Sequence, residues 1–183
     1  PMILNGFLVG AECDYDYYVL ELSSFQLDGM YDFKADVSVI LNITPDHLDR
    51  YDYKFQNYID SKFRILQNQT PEDAFIYWND DPVLKAEIEK RNIKAQLLPF
   101  AFEKTEKTRA FVEEQDLTIK AQQEDDDMIM PLEELALQGT HNVYNSMAAG
   151  LAAQIVNIRK ETIRKSLAEF KGVEHRLEYV ASV

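Results

Sequence analysis

Apolar residues along this chain fall into short runs divided by polar turns, and the runs alternate between strand and helix periods. Tyr17-Tyr18-Val19-Leu20-Glu21-Leu22 predicts a buried strand, and Asp36 to Ile43, with β-branched residues and no Gly or Pro, predicts another. Thr44 reads as an N-cap with Pro45 at the first helical position, so this strand is expected to give way directly to helix at Asp46 and His47. A helix is expected from Lys54 to Gln67, then a strand over Ala74–Trp78 closing on the turn Asn79-Asp80-Asp81-Pro82. Val83 to Arg91 has amphipathic helical spacing, and Lys94 to Phe100 reads as strand. Beyond it, Ala110-Phe111-Val112, Leu117 to Lys120 and Met128 to Pro131 are short strand-like pieces, expected as an antiparallel meander at the side of the main sheet. Gly139-Thr140-His141-Asn142 opens a long helix in which Val143, Met147, Leu151 and Ile155 recur at helical spacing, with Asn142 as its N-cap. A last helix runs from Lys160 to Phe170 and ends at Gly172. Strands alternating with helices predict an α/β fold: a mostly parallel sheet flanked by helices, with a small antiparallel meander.

Composition narrows this picture. The 183 residues suit one domain or one domain with a small appendage, and 46% hydrophobic content argues against disorder. A net charge of −13, from 32 acidic and 19 basic residues, disfavours a nucleic-acid or anionic-membrane partner. No apolar run approaches the roughly 18 to 20 residues that cross a bilayer. The single cysteine, Cys13, excludes an intrachain disulfide and fits a cytoplasmic setting. A chain opening on Pro1 is expected to be a piece of a longer one.

Three groups of residues carry chemistry. In Asn42-Ile43-Thr44-Pro45-Asp46-His47-Leu48-Asp49-Arg50, carboxylates and an imidazole follow the end of a strand, where α/β sheets bind ligands. Lys62 interrupts the apolar stripe of Ile59, Phe63 and Leu66. Either its stem snorkels, or partial burial lowers its pKa and leaves an amine able to take up CO₂ as a carbamate. Glu21 ends the first strand just before Ser23-Ser24 and is expected at the same sheet edge as His47. Carboxylate, imidazole and hydroxyl groups suit Mg²⁺ or Mn²⁺ better than a closed zinc site; a Glu that merely caps a helix is the competing view. Asn142 and Asn145 open the long helix, where anions and a purine edge find donors; capping alone also explains Asn142. Arg176 is a phosphate partner by its fork of donors, or a surface charge. None of the six glycines has the spacing of a phosphate-binding loop.

Together these residues resemble the central domain of the bacterial Mur ligases, from about Tyr17 to Tyr179. Glu21-Leu22-Ser23-Ser24-Phe25-Gln26-Leu27 is similar to the form in the branch that adds D-glutamate to UDP-N-acetylmuramoyl-L-alanine. The Asn42–Arg50 motif is shared more broadly, and Gly139-Thr140-His141-Asn142-Val143-Tyr144-Asn145 and His175-Arg176 follow in the family's order. The resemblance implies an ATP-dependent, ADP-forming ligase of peptidoglycan precursor synthesis, cytoplasmic and monomeric as a whole enzyme. It implies Glu21, His47 and carbamylated Lys62 around two Mg²⁺ ions, and Asn142, Asn145 and Arg176 at ATP. Ser23 and Gln26 are implied at the uridine-diphospho substrate. The family's Gly-rich ATP loop and its flanking domains are missing from this chain. The expectation is therefore a poorly matched segment 1–14, an incomplete central domain over 15–172, and the start of a linker over 173–183, inactive in isolation. Alternatives are another Mur or folylpolyglutamate-synthase-like ligase, or a non-catalytic α/β module.

Overall fold

The structure is a computed structural model and describes residues 16–120 and 127–170. These fall into two compact units, one drawn from Pro1–Lys34 and Pro45–Asn68, the other from Ala35–Thr44 and Gln69–Val183.

The second unit is built on a six-stranded sheet in the order β1 (Val37–Ile40), β2 (Ala74–Trp78), β3 (Gln96–Phe100), β4 (Ala110–Glu113), β5 (Asp116–Ile119) and β6 (Met128–Pro131). The first four strands run parallel and the last three antiparallel. The meander is thus no separate flap. Phe100 opposite Ala110 joins it to β3, and Ala101 N–H donates to Ala110 O at 3.0 Å to carry the ladder across. β2 lies between β1 and β3, its Phe75 and Ile76 both fully buried, as expected of a strand covered on both faces. Buried Ser38 keeps its polarity by lying 3.3 Å from Ala74 O and 3.2 Å from the Gln69 side chain. Gln69 in turn donates to Ala35 O at 2.9 Å, so one amide pins the start of β1 to β2.

Between β2 and β3 lies α3 (Pro82–Lys90), with Pro82 at its first turn. The core is completed by α4 (Thr140–Ile155), whose buried Val143, Met147 and Leu151 lie one turn apart and meet Ile76, Phe100, Leu117 and Ile119. Gly150 lets this helix approach closely, since a Cβ there would stand 2.1 Å from the Ile119 Cδ1. α5 (Lys160–Glu169) adds Ile163 and Leu167 to the same core.

The first unit contains α1 (Ser24–Asp28), a 3₁₀ turn over Leu48–Tyr51, and α2 (Phe55–Phe63), which runs on into a 3₁₀ turn over Arg64–Leu66. α1 is tied to α2 by Ser61 Oγ donating to Ser24 O and Arg64 Nε donating to Leu27 O, each at 2.9 Å. Asn68 Nδ2 donates to Tyr31 O at 2.7 Å and Phe33 O at 2.8 Å, and Gln67 Nε2 donates to Met30 O.

Two expectations fail here. Tyr17–Leu22 forms no strand and is not buried: Val19 is 98% exposed and Tyr17 59%. Its apolar pattern suits a two-sided position within a sheet, but a strand exists only by ladder pairing, and the six strands do not include it. No helix starts at Pro45 either. His47 instead takes left-handed dihedrals, φ 48° and ψ 33°, and that breaks the right-handed run before the 3₁₀ turn begins.

Candidate functional site

Glu21, Ser23, Gln26, His47 and Lys62 all belong to the first unit. Ser23 is the N-cap of α1. Gln26 N–H donates to Ser23 Oγ at 3.4 Å, and Ser23 N–H donates back to Gln26 Oε1 at 2.9 Å, a reciprocal capping box. Ser23 Oγ also lies 3.1 Å from Gln26 Oε1. The two residues expected at a substrate are therefore bonded to each other. Their arrangement fixes the start of the helix, with Glu21 exposed two residues upstream.

His47 and its neighbours form an aromatic and ionic group. His47 N–H donates to Asp46 Oδ1 at 2.8 Å, and its Nε2 stands 3.4 Å from Asp46 Oδ2. The imidazole meets the Phe25 ring nearly edge-on, centroids 5.1 Å apart at 67°. Arg50 lays its guanidinium 4.4 Å from the centroid of the same ring, and Tyr51 stacks on it at 6.1 Å and 15°. Buried Tyr51 then donates its hydroxyl to Asp28 Oδ2 at 2.9 Å and shares a 3.1 Å hydrogen bond with Ser61.

Lys62 lies half-buried on α2, its ammonium 5.6 Å from the Tyr58 ring centroid. Burial holds its pKa below the usual lysine value. The nearby carboxylates of Asp46 and Glu21 oppose that shift without cancelling it. The structure thus brings Lys62 into the electrostatic reach of Glu21 and Asp46, and His47 into contact with Asp46. As donors, two carboxylates and an imidazole fit a hard divalent cation. Among the described residues no three His, Cys, Asp or Glu side chains are gathered closely enough to hold an ion by themselves. The donor set fits magnesium in kind but is left open without an oxygen from Lys62.

Asn142 and Asn145 belong to the second unit, on α4. Asn142 is not the N-cap. Gly139 takes that place at φ 98°, a conformation glycine adopts freely, and Asn142 Nδ2 donates to Gln138 O at 2.8 Å. Asn145 is exposed one turn further on. Between them Tyr144 turns inward, stacked on Trp78 at 4.6 Å and met edge-on by Phe102 at 5.0 Å and His141 at 5.5 Å. Asp80 accepts from Trp78 Nε1 at 3.1 Å and Phe102 N–H at 3.0 Å, binding the carboxyl end of β2 to the segment after β3. Asp81 caps α3 through Leu84 N–H at 2.8 Å and also accepts from Ile43 N–H at 3.4 Å. Sequence reasoning placed Asp80 and Asp81 in a turn and gave Phe25 no role. The signal for the carboxylates was their place before Pro82, and for Phe25 its setting within Glu21–Leu27. Arg176, and the segments 1–14 and 173–183, lie outside the described residues.

The Mur ligase middle domain model matches residues 4–153. The chain belongs to this family. Among relatives of this Mur ligase middle domain, the UDP-N-acetylmuramoylalanine–D-glutamate ligase of Bacteroides thetaiotaomicron is 58% identical over 173 residues, 94% of this chain and 38% of the relative. The ligase of the same name from Porphyromonas gingivalis is 48% identical over 182 residues, covering 97% of this chain and 40% of its own. The chain thus spans about two-fifths of the length of these relatives. The crystal structure of MurF from Acinetobacter baumannii superposes with a TM-score of 0.62 at 24% identity, over 81% of this chain and 32% of MurF. A murein peptide ligase from Psychrobacter arcticus gives 0.61 at 15% identity, over 81% of this chain and 30% of its own. At such identities the likeness is one of fold, the Mur ligase central α/β fold. No helix among the described residues is long and apolar enough to cross a membrane.

Proposed function

We propose that this chain is the middle domain of an ATP-dependent ligase that joins D-glutamate to UDP-N-acetylmuramoyl-L-alanine in peptidoglycan precursor synthesis. The observation that supports the reading is the 58% identity, over 94% of this chain, to the UDP-N-acetylmuramoylalanine–D-glutamate ligase of Bacteroides thetaiotaomicron. Within the chain, Lys62 is a half-buried amine whose pKa burial lowers. Such an amine attacks CO₂, forming an N–C bond and losing a proton to water, and the resulting carbamate offers two hard oxygens. Glu21, His47 and carbamylated Lys62 are the residues that would hold magnesium, two ions in the whole enzyme. When bound, magnesium supplies the charge neutralisation that phosphoryl transfer requires.

In the proposed reaction a carboxylate oxygen of the substrate takes the γ-phosphoryl group of ATP and ADP leaves. The D-glutamate nitrogen then attacks the acyl carbon and phosphate leaves. Asn145 offers an exposed carboxamide toward the adenine, with Asn142 holding the helix start beside it and Arg176 assigned to the phosphates. Ser23 and Gln26 act on the uridine-diphospho substrate through the helix end they fix. The whole enzyme is proposed to be monomeric and cytoplasmic, and the chain by itself inactive.

The test is ADP release by the full-length protein. ADP is expected only when UDP-N-acetylmuramoyl-L-alanine and D-glutamate are both present, and Lys62→Ala is expected to abolish it. Equal rates with L-lysine or diaminopimelate in place of D-glutamate overturn the assigned amino acid. Full activity of Lys62→Ala overturns the assigned site.

A further inference from the structure

His47 presents a problem that the proposed metal site does not solve by itself. Its backbone sits in the left-handed region, which costs a residue with a Cβ on the order of 1 kcal/mol, and strain of this kind persists only where the surroundings over-determine it. Burial does not do that, because the imidazole is 54% exposed. Among the described residues, the ring meets Phe25 as well as its neighbour Asp46.

We propose that Phe25 is a positioning residue that sets the direction of the His47 imidazole, so that α1 and α2 together aim the groups of the candidate metal site. The proposal rests on the reading of His47 as a ligand given above.

The argument follows the contacts outward from α2. Ser61 on α2 and Arg64 at the start of the turn that follows it hold α1 by its Ser24 and Leu27 carbonyls, at 2.9 Å each. The capping box of Ser23 and Gln26 fixes the entry to α1, two residues after Glu21. Phe25 projects from α1 into a slot bounded by the Tyr51 ring at 6.1 Å and the Arg50 guanidinium at 4.4 Å, so its own ring has little freedom. The same ring meets His47 at 67°, centroids 5.1 Å apart. Lys62 follows Ser61 directly on α2. One helix pair therefore carries Lys62 and, through a single aromatic ring, orients His47. A flexible side chain at position 25 removes that ring from a strained and exposed turn.

The experiment uses the full-length protein, metal-free and with labelled histidine. The His47 signal is assigned by comparison with His47→Ala. Ring-current shifts on the His47 imidazole protons and a nuclear Overhauser contact to the Phe25 ring are expected in the wild type. Phe25→Leu is expected to lose both, and Phe25→Tyr to keep both. In ligase assays Phe25→Leu is expected to raise the magnesium concentration for half-activation about tenfold, the scale of outer-shell effects at metal sites, with KM for D-glutamate unchanged. Phe25→Tyr is expected to restore the wild-type value.

Absence of the Overhauser contact in the wild type overturns the proposal even if Phe25→Leu fails to fold. So does an unchanged magnesium dependence in a folded Phe25→Leu. If instead His47→Ala leaves the magnesium dependence intact while the Phe25–His47 contact is observed, the ligand reading of His47 has failed and the positioning contact stands.

Discussion

The two units of this chain are held together by different forces. The second is organised by a dry core: Ile76, Phe100, Leu117, Ile119, Met130 and Met147 are fully buried, and the sheet and α4 supply them from opposite sides. The first is organised by directional contacts: a capping box, side chains donating to carbonyls, stacked rings around Phe25, and left-handed dihedrals at His47, Asp52 and Tyr53. Those three fall within seven residues, whereas the second unit's two non-glycine left-handed residues among those described, Glu114 and Asn157, stand far apart. Burial is non-directional and tolerates small shifts, whereas ligand groups need fixed aim. The residues proposed for chemistry lie mostly where the contacts are directional.

Substitutions can break that contrast, and the largest effect is expected in the dry core. Phe100→Ala is expected to cost about 3 to 5 kcal/mol in urea unfolding, by lost burial and the cavity left behind. Gly150→Ala is expected to cost about 1 to 3 kcal/mol through overpacking against Ile119, and Ile119→Val in the same chain should return part of it. Full additivity of that pair would show that the close approach of α4 is relieved elsewhere.

Effects in the first unit are expected to be smaller. Tyr51→Phe, which strands the buried Ser61 hydroxyl and the Asp28 carboxylate without this partner, is expected to cost about 1 kcal/mol. His47→Gly is expected to raise stability by up to about 1 kcal/mol, because glycine accepts φ 48° without a Cβ penalty, while ligase activity of the full-length protein is lost. Stability and activity moving in opposite directions at one residue would be the sharpest form of the contrast.

Lys62 gives the smallest and most diagnostic effect. Its folded pKa lies below the unfolded 10.5, so the unfolded chain holds the proton longer. This contribution to stability rises with pH between the two values, is complete above the unfolded one, and is lost as pH falls through the folded one. Lys62→Met should remove that slope from unfolding midpoints measured as pH rises toward 10.5, and an unchanged slope would assign it to another group.

Much of the fold was legible because its signals are local and repeated. Val143, Met147 and Leu151 declare one face of α4, and Ala74–Trp78 has no polar residue to place at the surface. Tyr17–Leu22 misled for an instructive reason: an apolar pattern states what a segment would bury, and pairing decides whether it does. The left-handed turn at His47 was invisible, since Thr44 and Pro45 carry a genuine helix-start signal and neighbouring contacts override it. Lys62 was legible as a charge within an apolar stripe. The resemblance already grouped Glu21 with it; the influence of Asp46 on Lys62 was not legible, because it arises only through the packing of the 3₁₀ turn and α2.

The stack of Trp78 on Tyr144 makes the chain its own optical probe. Trp78 is the sole tryptophan, hydrogen-bonded to Asp80 and lying against a helix that must be seated on the sheet for the contact to exist. Its emission therefore reports one event free of overlap from other indoles, the docking of α4 beside the carboxyl ends of the parallel strands. Any ligand that loosens or tightens that helix will write its binding curve in the fluorescence of a single ring.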